Sequence, residues 1–148
     1  MELSIFSDES FMKEALKEAQ KALEKNEVPI GAVIVSNNKI IARAHNLCET
    51  LNDATAHAEM QAITSASNFF GSKYLNECTL FVTLEPCLMC ASASAWSQIG
   101  KIVYGADDKK GFTKIPQNIL HPKTEIVSGI LKDDCSKMLI DFFEKKRE

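Results

Sequence analysis

The order of helical and strand patterns is the feature that most constrains the fold of this chain. Residues 10–25 have apolar side chains at helical spacing, and residues 28–44 have the pattern of a β-hairpin that turns at Asn37 and Asn38. Further helices and strands follow in the order helix 56–68, strand 79–84, helix 86–97, strand 101–105, strand 124–127 and helix 133–144. Helices connected in this way to strands pack on both faces of one sheet. The sequence therefore predicts an α/β protein with three α/β/α layers and a mixed five-stranded sheet.

Length and composition indicate one folded domain over residues 1–148. A chain of 148 residues that is 45% hydrophobic and 25% charged can bury a core without disulfide bonds. Its longest apolar run, 30–35, is far shorter than the roughly 20 residues that cross a bilayer. Met1–Ser4 lack the basic start and the apolar stretch of a secretory leader. We therefore expect no membrane association and a cytoplasmic location.

The charge distribution gives only local support for a nucleic-acid partner. The net charge is −3, which does not suggest general binding to phosphates. Residues 101–148 differ from the rest, because they carry ten basic and eight acidic side chains. This region is the candidate for a phosphate-facing surface, and a solvated face of mixed charge explains the same composition equally well.

The five cysteines indicate a metal site or a catalytic thiol and not a disulfide framework. An odd number of cysteines in a reducing compartment argues against paired disulfides. Cys48, Cys78 and Cys135 are isolated in the sequence, so we expect them to be small buried apolar residues. His45 and His121 lie in segments that look like loops, and we expect them to be structural or solvent-facing.

Two short motifs together indicate a catalytic zinc site. His57-Ala58-Glu59 precedes one predicted helix, and Pro86-Cys87-Leu88-Met89-Cys90 begins the next. Taken alone, the C-x-x-C motif also fits a redox pair or half of a structural zinc site. Taken together, the motifs offer one imidazole and two thiolates, with no fourth ligand of matching spacing nearby. Three protein ligands and one open position for water are typical of catalytic zinc.

The spacing of these residues has a physical reason. Cys87 and Cys90 are three positions apart at a helix start, so both sulfurs project from one turn, where the helix dipole favours thiolates. His57 comes from the start of another helix. Glu59 is two residues further on and points elsewhere, towards the water that such a zinc would activate at about neutral pH. H-x-E followed by P-C-x-x-C is the signature of zinc nucleobase deaminases, in which the Glu is a general acid and base.

With these residues placed, the chain resembles the bacterial tRNA-specific adenosine deaminases, a family within the cytidine deaminase superfamily. The resemblance covers nearly the whole chain, through EVPIGAV at 27–33, AHN at 44–46, TAHAE at 55–59, TLEPCLMCA at 83–91, YGADD at 104–108 and DFFEKK at 141–146. It implies a cytidine deaminase-like fold, a homodimer and hydrolytic conversion of the wobble adenosine of a tRNA anticodon loop to inosine.

The resemblance also implies roles for particular residues. Matching positions assign the Zn²⁺ ligands to His57, Cys87 and Cys90. Glu59 would carry protons, Asn46 would contact the target base, and Asp108 would lie near the target nucleotide.

Two departures from the family pattern stand out. The segment 110–122 looks shortened where many relatives are rich in Gly and Ser, and Asp53-Ala54-Thr55 replaces Asp-Pro-Thr. We expect Thr55 to cap the following helix.

Three interpretations compete at this point: a deaminase acting on tRNA, a deaminase of a free base or nucleoside such as guanine or cytosine, and a non-catalytic zinc-stabilised binding module. Glu59 argues against the third, because a scaffold needs no proton carrier there. The aromatic and basic end of the chain, at 142–147, favours RNA, although a core position is the better explanation for its two phenylalanines. The family resemblance, more than the charge, favours tRNA. The small residues of 91–95 and Trp96 are the predicted dimer contact.

Overall fold

The computed structural model describes residues 6–147, so Met1–Ser4, on which the expectation of no secretory leader rests, lie outside the described residues. The α-helices of this described part are α1 (Asp8–Glu24), α2 (Ala58–Phe70), α3 (Leu88–Trp96) and α4 (Lys132–Lys146). Its strands are β1 (Gly31–Ser36), β2 (Lys39–His45), β3 (Thr79–Leu84), β4 (Lys101–Ala106) and β5 (Glu125–Val127). A short 3₁₀ helix, Phe112–Lys114, lies in the connection between β4 and β5.

The strands form one mixed sheet in the order β2-β1-β3-β4-β5. Strand β1 pairs antiparallel with β2 and with β3, whereas β3, β4 and β5 run parallel. The predicted hairpin is confirmed, and Asn37 and Asn38 both have the positive φ that its tight turn requires. Because β3 and β4 are parallel, their carboxyl ends lie at the same end of the sheet, where the loops that follow them meet.

Helices cover both faces of the sheet, as predicted. On one face, Ala58, Ala62 and Ala66 of α2 and Ala91 of α3 pack in the larger apolar cluster. On the other face, α1 packs on β1 and β3, and Cys135 of α4 joins the same cluster. The approach of α1 is close, since a Cβ on Gly31 would lie 2.0 Å from the Ala15 carbonyl oxygen. Strands β1, β3 and β4 are therefore largely buried between two helical layers.

The start of α2 differs from the prediction. The helix begins at Ala58, two residues later than expected, and its N-cap residue is His57. Thr55 does not cap it, so that expectation is wrong: the Thr55 amide and hydroxyl both donate to Asp53 Oδ1, at 2.8 Å. The Ala58 amide instead donates to Asn46 Oδ1 across the site, at 2.8 Å.

The start of α3 also differs. Pro86 is not its first residue, because the helix begins at Leu88 and Cys87 is the N-cap. Cys87 forms an isolated antiparallel bridge with Gly111, and the Phe112 amide donates to the Pro86 carbonyl at 3.0 Å. This pairing with a distant segment keeps the backbone extended through Cys87 and delays the helix.

The remaining cysteines and histidines agree with their predictions in most respects. Cys78 and Cys135 are buried, whereas Cys48 is only partly buried. His121 lies in a loop and accepts a hydrogen bond from the Lys123 amide. His45 is not in a loop but ends β2, where its Nδ1 lies 3.2 Å from Glu18 Oε1. None of the helices in the described part of the chain has the length and apolarity to cross a membrane.

Candidate active site

The starts of α2 and α3 bring three ligand atoms together. His57 Nδ1 lies 3.7 Å from Cys87 Sγ and 3.5 Å from Cys90 Sγ. All three ligand atoms lie within 4.8 Å of one another. Within residues 6–147, these three side chains form the cluster of His, Cys, Asp or Glu residues that could hold a metal ion. His57 and Cys87 are the N-cap residues of their helices, so both helix dipoles point their positive ends at the cluster.

The cluster has the dimensions and the chemistry of a tetrahedral zinc site. Zinc bonds of about 2.1 Å to nitrogen and about 2.3 Å to sulfur, at a tetrahedral angle, separate the two atoms by about 3.6 Å. The two measured nitrogen to sulfur distances, 3.5 and 3.7 Å, bracket that value. One nitrogen and two sulfurs are donors that zinc prefers, and three donors leave one position open.

The thiols and the imidazole of this cluster titrate together. A hydrogen bond from Cys90 and another from His57 lower the pKa of Cys87 to about 3. The same contact with Cys87, together with burial, raises the pKa of Cys90, and the hydrogen bond to Cys87 raises the pKa of His57. Cys87 is therefore a thiolate at neutral pH, which is the form that binds a metal.

Glu59 is the titratable group next to this cluster. It lies in the first turn of α2 and is only 4% exposed. Burial raises the pKa of Glu59 to about 7, against smaller effects of its backbone hydrogen bond and of His57. A carboxyl group that changes protonation state near pH 7 is suited to take up and release a proton during a reaction at that pH.

Asn46 directly follows β2, contacts the start of α2 and is only 5% exposed. Its Oδ1 accepts the hydrogen bond from Ala58, which fixes the orientation of the amide group. That contact uses Oδ1, so Nδ2 is the donor that Asn46 can offer to another group. Gln61 supports this arrangement, because its Nε2 donates to the His45 and Ala56 carbonyls at 2.8 and 3.1 Å.

Asp108 lies on the segment that follows β4 and is partly buried. Its amide donates to Glu85 Oε1 at 3.1 Å, and its carboxylate accepts from the Lys110 amide at 3.3 Å. Three residues further on, Gly111 pairs with Cys87. The structure thus brings the backbone that carries Asp108 next to the start of α3.

Two buried carboxylates that hold loops of the protein were not predicted from the sequence. Glu27 accepts hydrogen bonds from the Glu49 and Thr50 amides, and Glu85 accepts them from the Asp108 and Thr113 amides. A signal was available in the sequence, since each Glu lies at an end of an apolar strand and one or two residues before a proline. Both are almost fully buried, where an acidic side chain needs several partners.

Fold and site together define a deaminase with a cytidine deaminase-like architecture, and comparison with known proteins agrees. The MafB19-like deaminase family matches residues 6–147. A tRNA-specific adenosine deaminase of Bacillus subtilis is 49% identical over 95% of this chain and 91% of its own length. A solved structure from a study of A-to-I editing by tRNA A34 deaminases at the wobble position is 41% identical, with a TM-score of 0.82 over 87% of this chain and 98% of that one. The chain belongs to the family of tRNA-specific adenosine deaminases.

A third relative bears on the competing interpretation. The X-ray structure of a guanine deaminase from Bacillus subtilis is 38% identical, with a TM-score of 0.65 over 68% of this chain and 65% of that one. The likeness to the A34 deaminase is greater in coverage, identity and superposition.

Proposed function

We propose that this chain is a zinc-dependent hydrolase that converts the wobble adenosine of a tRNA anticodon loop to inosine. The observation that carries the proposal is the juxtaposition of His57, Cys87 and Cys90 with the buried Glu59, in a chain whose relatives of 42 to 49% identity are named tRNA-specific adenosine deaminases. The reaction adds water at the adenine carbon that bears the amino group and releases ammonia. We treat residues 1–148 as one deaminase domain.

His57, Cys87 and Cys90 would hold the Zn²⁺, which fits their spacing and donor types. Bound there, zinc would lower the pKa of water to about 7 and so would supply a nucleophile at neutral pH. Glu59 would take one proton from the attacking water and deliver it to the ring nitrogen beside the reacting carbon. It would then take the second proton from the hydroxyl group just added and deliver it to the amino group, which departs as ammonia. Its raised pKa matches both directions of transfer.

Two further residues would orient the base. The Asn46 amide nitrogen is the donor left over from its contact with α2, so it would hydrogen-bond to an acceptor on the adenine. Asp108, on the neighbouring segment, would lie near the target nucleotide. An anticodon loop suits this site, because a loop base is already unpaired and avoids most of the cost of extrusion from a duplex.

The RNA would meet a local basic surface on an otherwise acidic protein. Lys109 and Lys110 are exposed on the segment beside Cys87, and Lys145, Lys146 and Arg147 are exposed at the end of α4. Phe142 is buried, as its core interpretation predicts, whereas Phe143 is 44% exposed. Local cations of this kind contact phosphates, and unstacked bases pack on exposed rings.

The proposal includes a homodimer that acts in the cytoplasm, where a tRNA substrate is found. The inner side of α3 packs within its own chain through Ala91 and Ser94, which are buried. Its outer side exposes 84% of Trp96 and 52% of Leu88, a large apolar surface for a monomer. We expect a dimeric mass in solution at micromolar concentration, and a monomeric mass would exclude this part of the proposal.

The test of the function is a product assay. The zinc-loaded protein is incubated with a tRNA carrying adenosine at the wobble position, with the same tRNA carrying guanosine there, and with free adenosine, cytidine, cytosine and guanine. We expect inosine in the first tRNA and no comparable turnover elsewhere. If the tRNA stays unmodified while guanine or cytosine is deaminated, the chain is a free-base deaminase instead.

A further inference from the structure

We propose that Glu85 is a positioning residue of the deaminase: its buried carboxylate holds the segment 108–114 against Cys87 and so sets the edge of the site that RNA contacts. The proposal rests on the proposed function for the identity of the substrate. Its structural part concerns this chain alone and is tested without any substrate.

The first observation is the number of donors that meet on Glu85. Its side chain is buried and accepts hydrogen bonds from the Asp108 amide at 3.1 Å and the Thr113 amide at 2.9 Å. The Thr113 hydroxyl donates at 2.6 Å, and the Lys114 ammonium completes an ion pair. Four donors from one short segment thus converge on one carboxylate, which ties both ends of the segment to the end of β3.

The second observation is the fit of the segment around that carboxylate. A Cβ built on Gly111 would lie 2.0 Å from Glu85 Cδ and 2.2 Å from its Oε2. The backbone at Gly111 therefore passes over the carboxylate in contact, at the residue that pairs with Cys87. Only a residue without a side chain allows this approach, so the carboxylate and the glycine together define how near the segment comes to Cys87.

The charge of Glu85 matters for the strength of these contacts. Its carboxylate forms an ion pair with the Lys114 ammonium and accepts three further hydrogen bonds. Hydrogen bonds to an ionised acceptor are stronger than those between neutral groups. A neutral amide in its place would keep the shape and weaken the attachment.

The segment has the chemistry of a surface that contacts RNA. Lys109 and Lys110 are exposed and form no ion pair with any other residue between 6 and 147, whereas Lys114 is neutralised by Glu85. Two cations outside any ion pair, on a segment that pairs with Cys87, are suited to contact the phosphates that flank a bound nucleotide. Loosening the segment should therefore weaken the binding of RNA more than the chemical step.

Glu27 provides a matched control. It is equally buried and accepts from the Glu49 and Thr50 amides and from the Thr50 hydroxyl, which belong to a different segment of the chain. Glu27→Gln makes the same chemical change at the same burial without touching the segment 108–114. Thr113→Val provides a second variant, because it removes one donor from an exposed position and leaves Glu85 in place.

The experiment measures amide hydrogen exchange, zinc content and steady-state kinetics with a tRNA anticodon stem–loop. In Glu85→Gln we expect exchange at the Asp108 and Thr113 amides to rise at least tenfold, with exchange at Glu49 and Thr50 unchanged. Glu27→Gln should give the reverse pattern. Both variants should keep one zinc per chain. We expect KM for the stem–loop to rise about tenfold in Glu85→Gln, with kcat within threefold of the parent.

The outcomes separate the alternatives. A smaller rise in exchange and KM for Thr113→Val than for Glu85→Gln supports the proposal. Unchanged exchange at Asp108 and Thr113 in Glu85→Gln overturns it. The same fall in kcat and the same rise in KM in Glu85→Gln and Glu27→Gln would also overturn it, because that result would indicate a general structural role. If the parent protein makes no inosine, the proposed function fails, and the exchange data still decide whether Glu85 holds the segment.

Discussion

Helix α1 and the two helices at the site begin in different ways. In α1 the N-cap residue Ser7 accepts from the Ser10 amide, and the Ser10 hydroxyl accepts from the Ser7 amide, each at 3.1 Å. This reciprocal pair satisfies amides that a helix start leaves open. In α2 and α3 the N-cap residues are His57 and Cys87, and neither makes a side-chain cap.

The difference shows how the site is built. At the start of α1 the cap position stabilises the helix, whereas at the starts of α2 and α3 the same position presents a metal ligand. The lost cap of α2 is partly replaced by Asn46, and the start of α3 is held by pairing of Cys87 with Gly111. We therefore expect substitutions at the site to reduce activity strongly while they leave stability nearly unchanged or increase it. Substitutions at the start of α1 should reduce stability and leave activity unchanged.

Among variants that keep the zinc, the largest loss of activity is expected from Glu59→Gln. The amide cannot carry a proton, and proton transfer of this kind is typically worth roughly 100 to 10,000-fold in rate. Inosine formation should fall by that factor, while metal analysis finds the same zinc content as in the parent. Turnover within a few-fold of the parent would show that Glu59 is not the proton carrier.

The same substitution should stabilise the metal-free protein at high pH. Burial raises the pKa of Glu59 from 4.5 to about 7, so folding favours its neutral form. This favourable contribution is present below pH 4.5 and is lost as the pH rises through about 7. The full shift corresponds to roughly 3 kcal/mol at most, at about 1.4 kcal/mol for each pKa unit.

Urea unfolding after removal of metal with a chelator checks this prediction. Relative to Glu59→Gln, the parent should lose stability between pH 5 and pH 8. A constant difference in the free energy of unfolding over that range would mean that Glu59 does not titrate there.

The smallest effect is expected from Ser7→Ala. Loss of an N-cap side chain typically costs about 1 kcal/mol, so the free energy of unfolding should fall by about that amount. Zinc content, kcat and KM should stay at the values of the parent, because α1 lies on the face of the sheet opposite α2 and α3. A loss of zinc or of kcat in this variant would break the distinction between the two kinds of helix start.

Local patterns in the sequence were sufficient to predict the elements of the fold. Periodicity, turn residues and β-rich runs predicted the four helices and five strands found within residues 6–147, and β3 has the predicted bounds, Thr79–Leu84. The spacing of the two motifs predicted that His57, Cys87 and Cys90 would meet. These features depend on neighbours in the chain, which is why one sequence reveals them.

Features that depend on distant partners were not predicted. The cap of α2 comes from Asn46 and the delayed start of α3 from Gly111, and neither lies near its helix in the sequence. Glu85 is ordered by donors more than 20 residues further along the chain. No periodicity marks such pairs, because they form only when the loops at one edge of the sheet meet.

The most direct test of the account is metal analysis of single cysteine variants. The central claim is that the starts of α2 and α3 form one zinc site, in which Cys87 and Cys90 are ligands and the buried Cys78 is not. We predict one zinc per chain in the parent and in Cys78→Ala, and neither zinc nor activity in Cys87→Ala or Cys90→Ala. Full zinc content in either of the last two variants would contradict the claim.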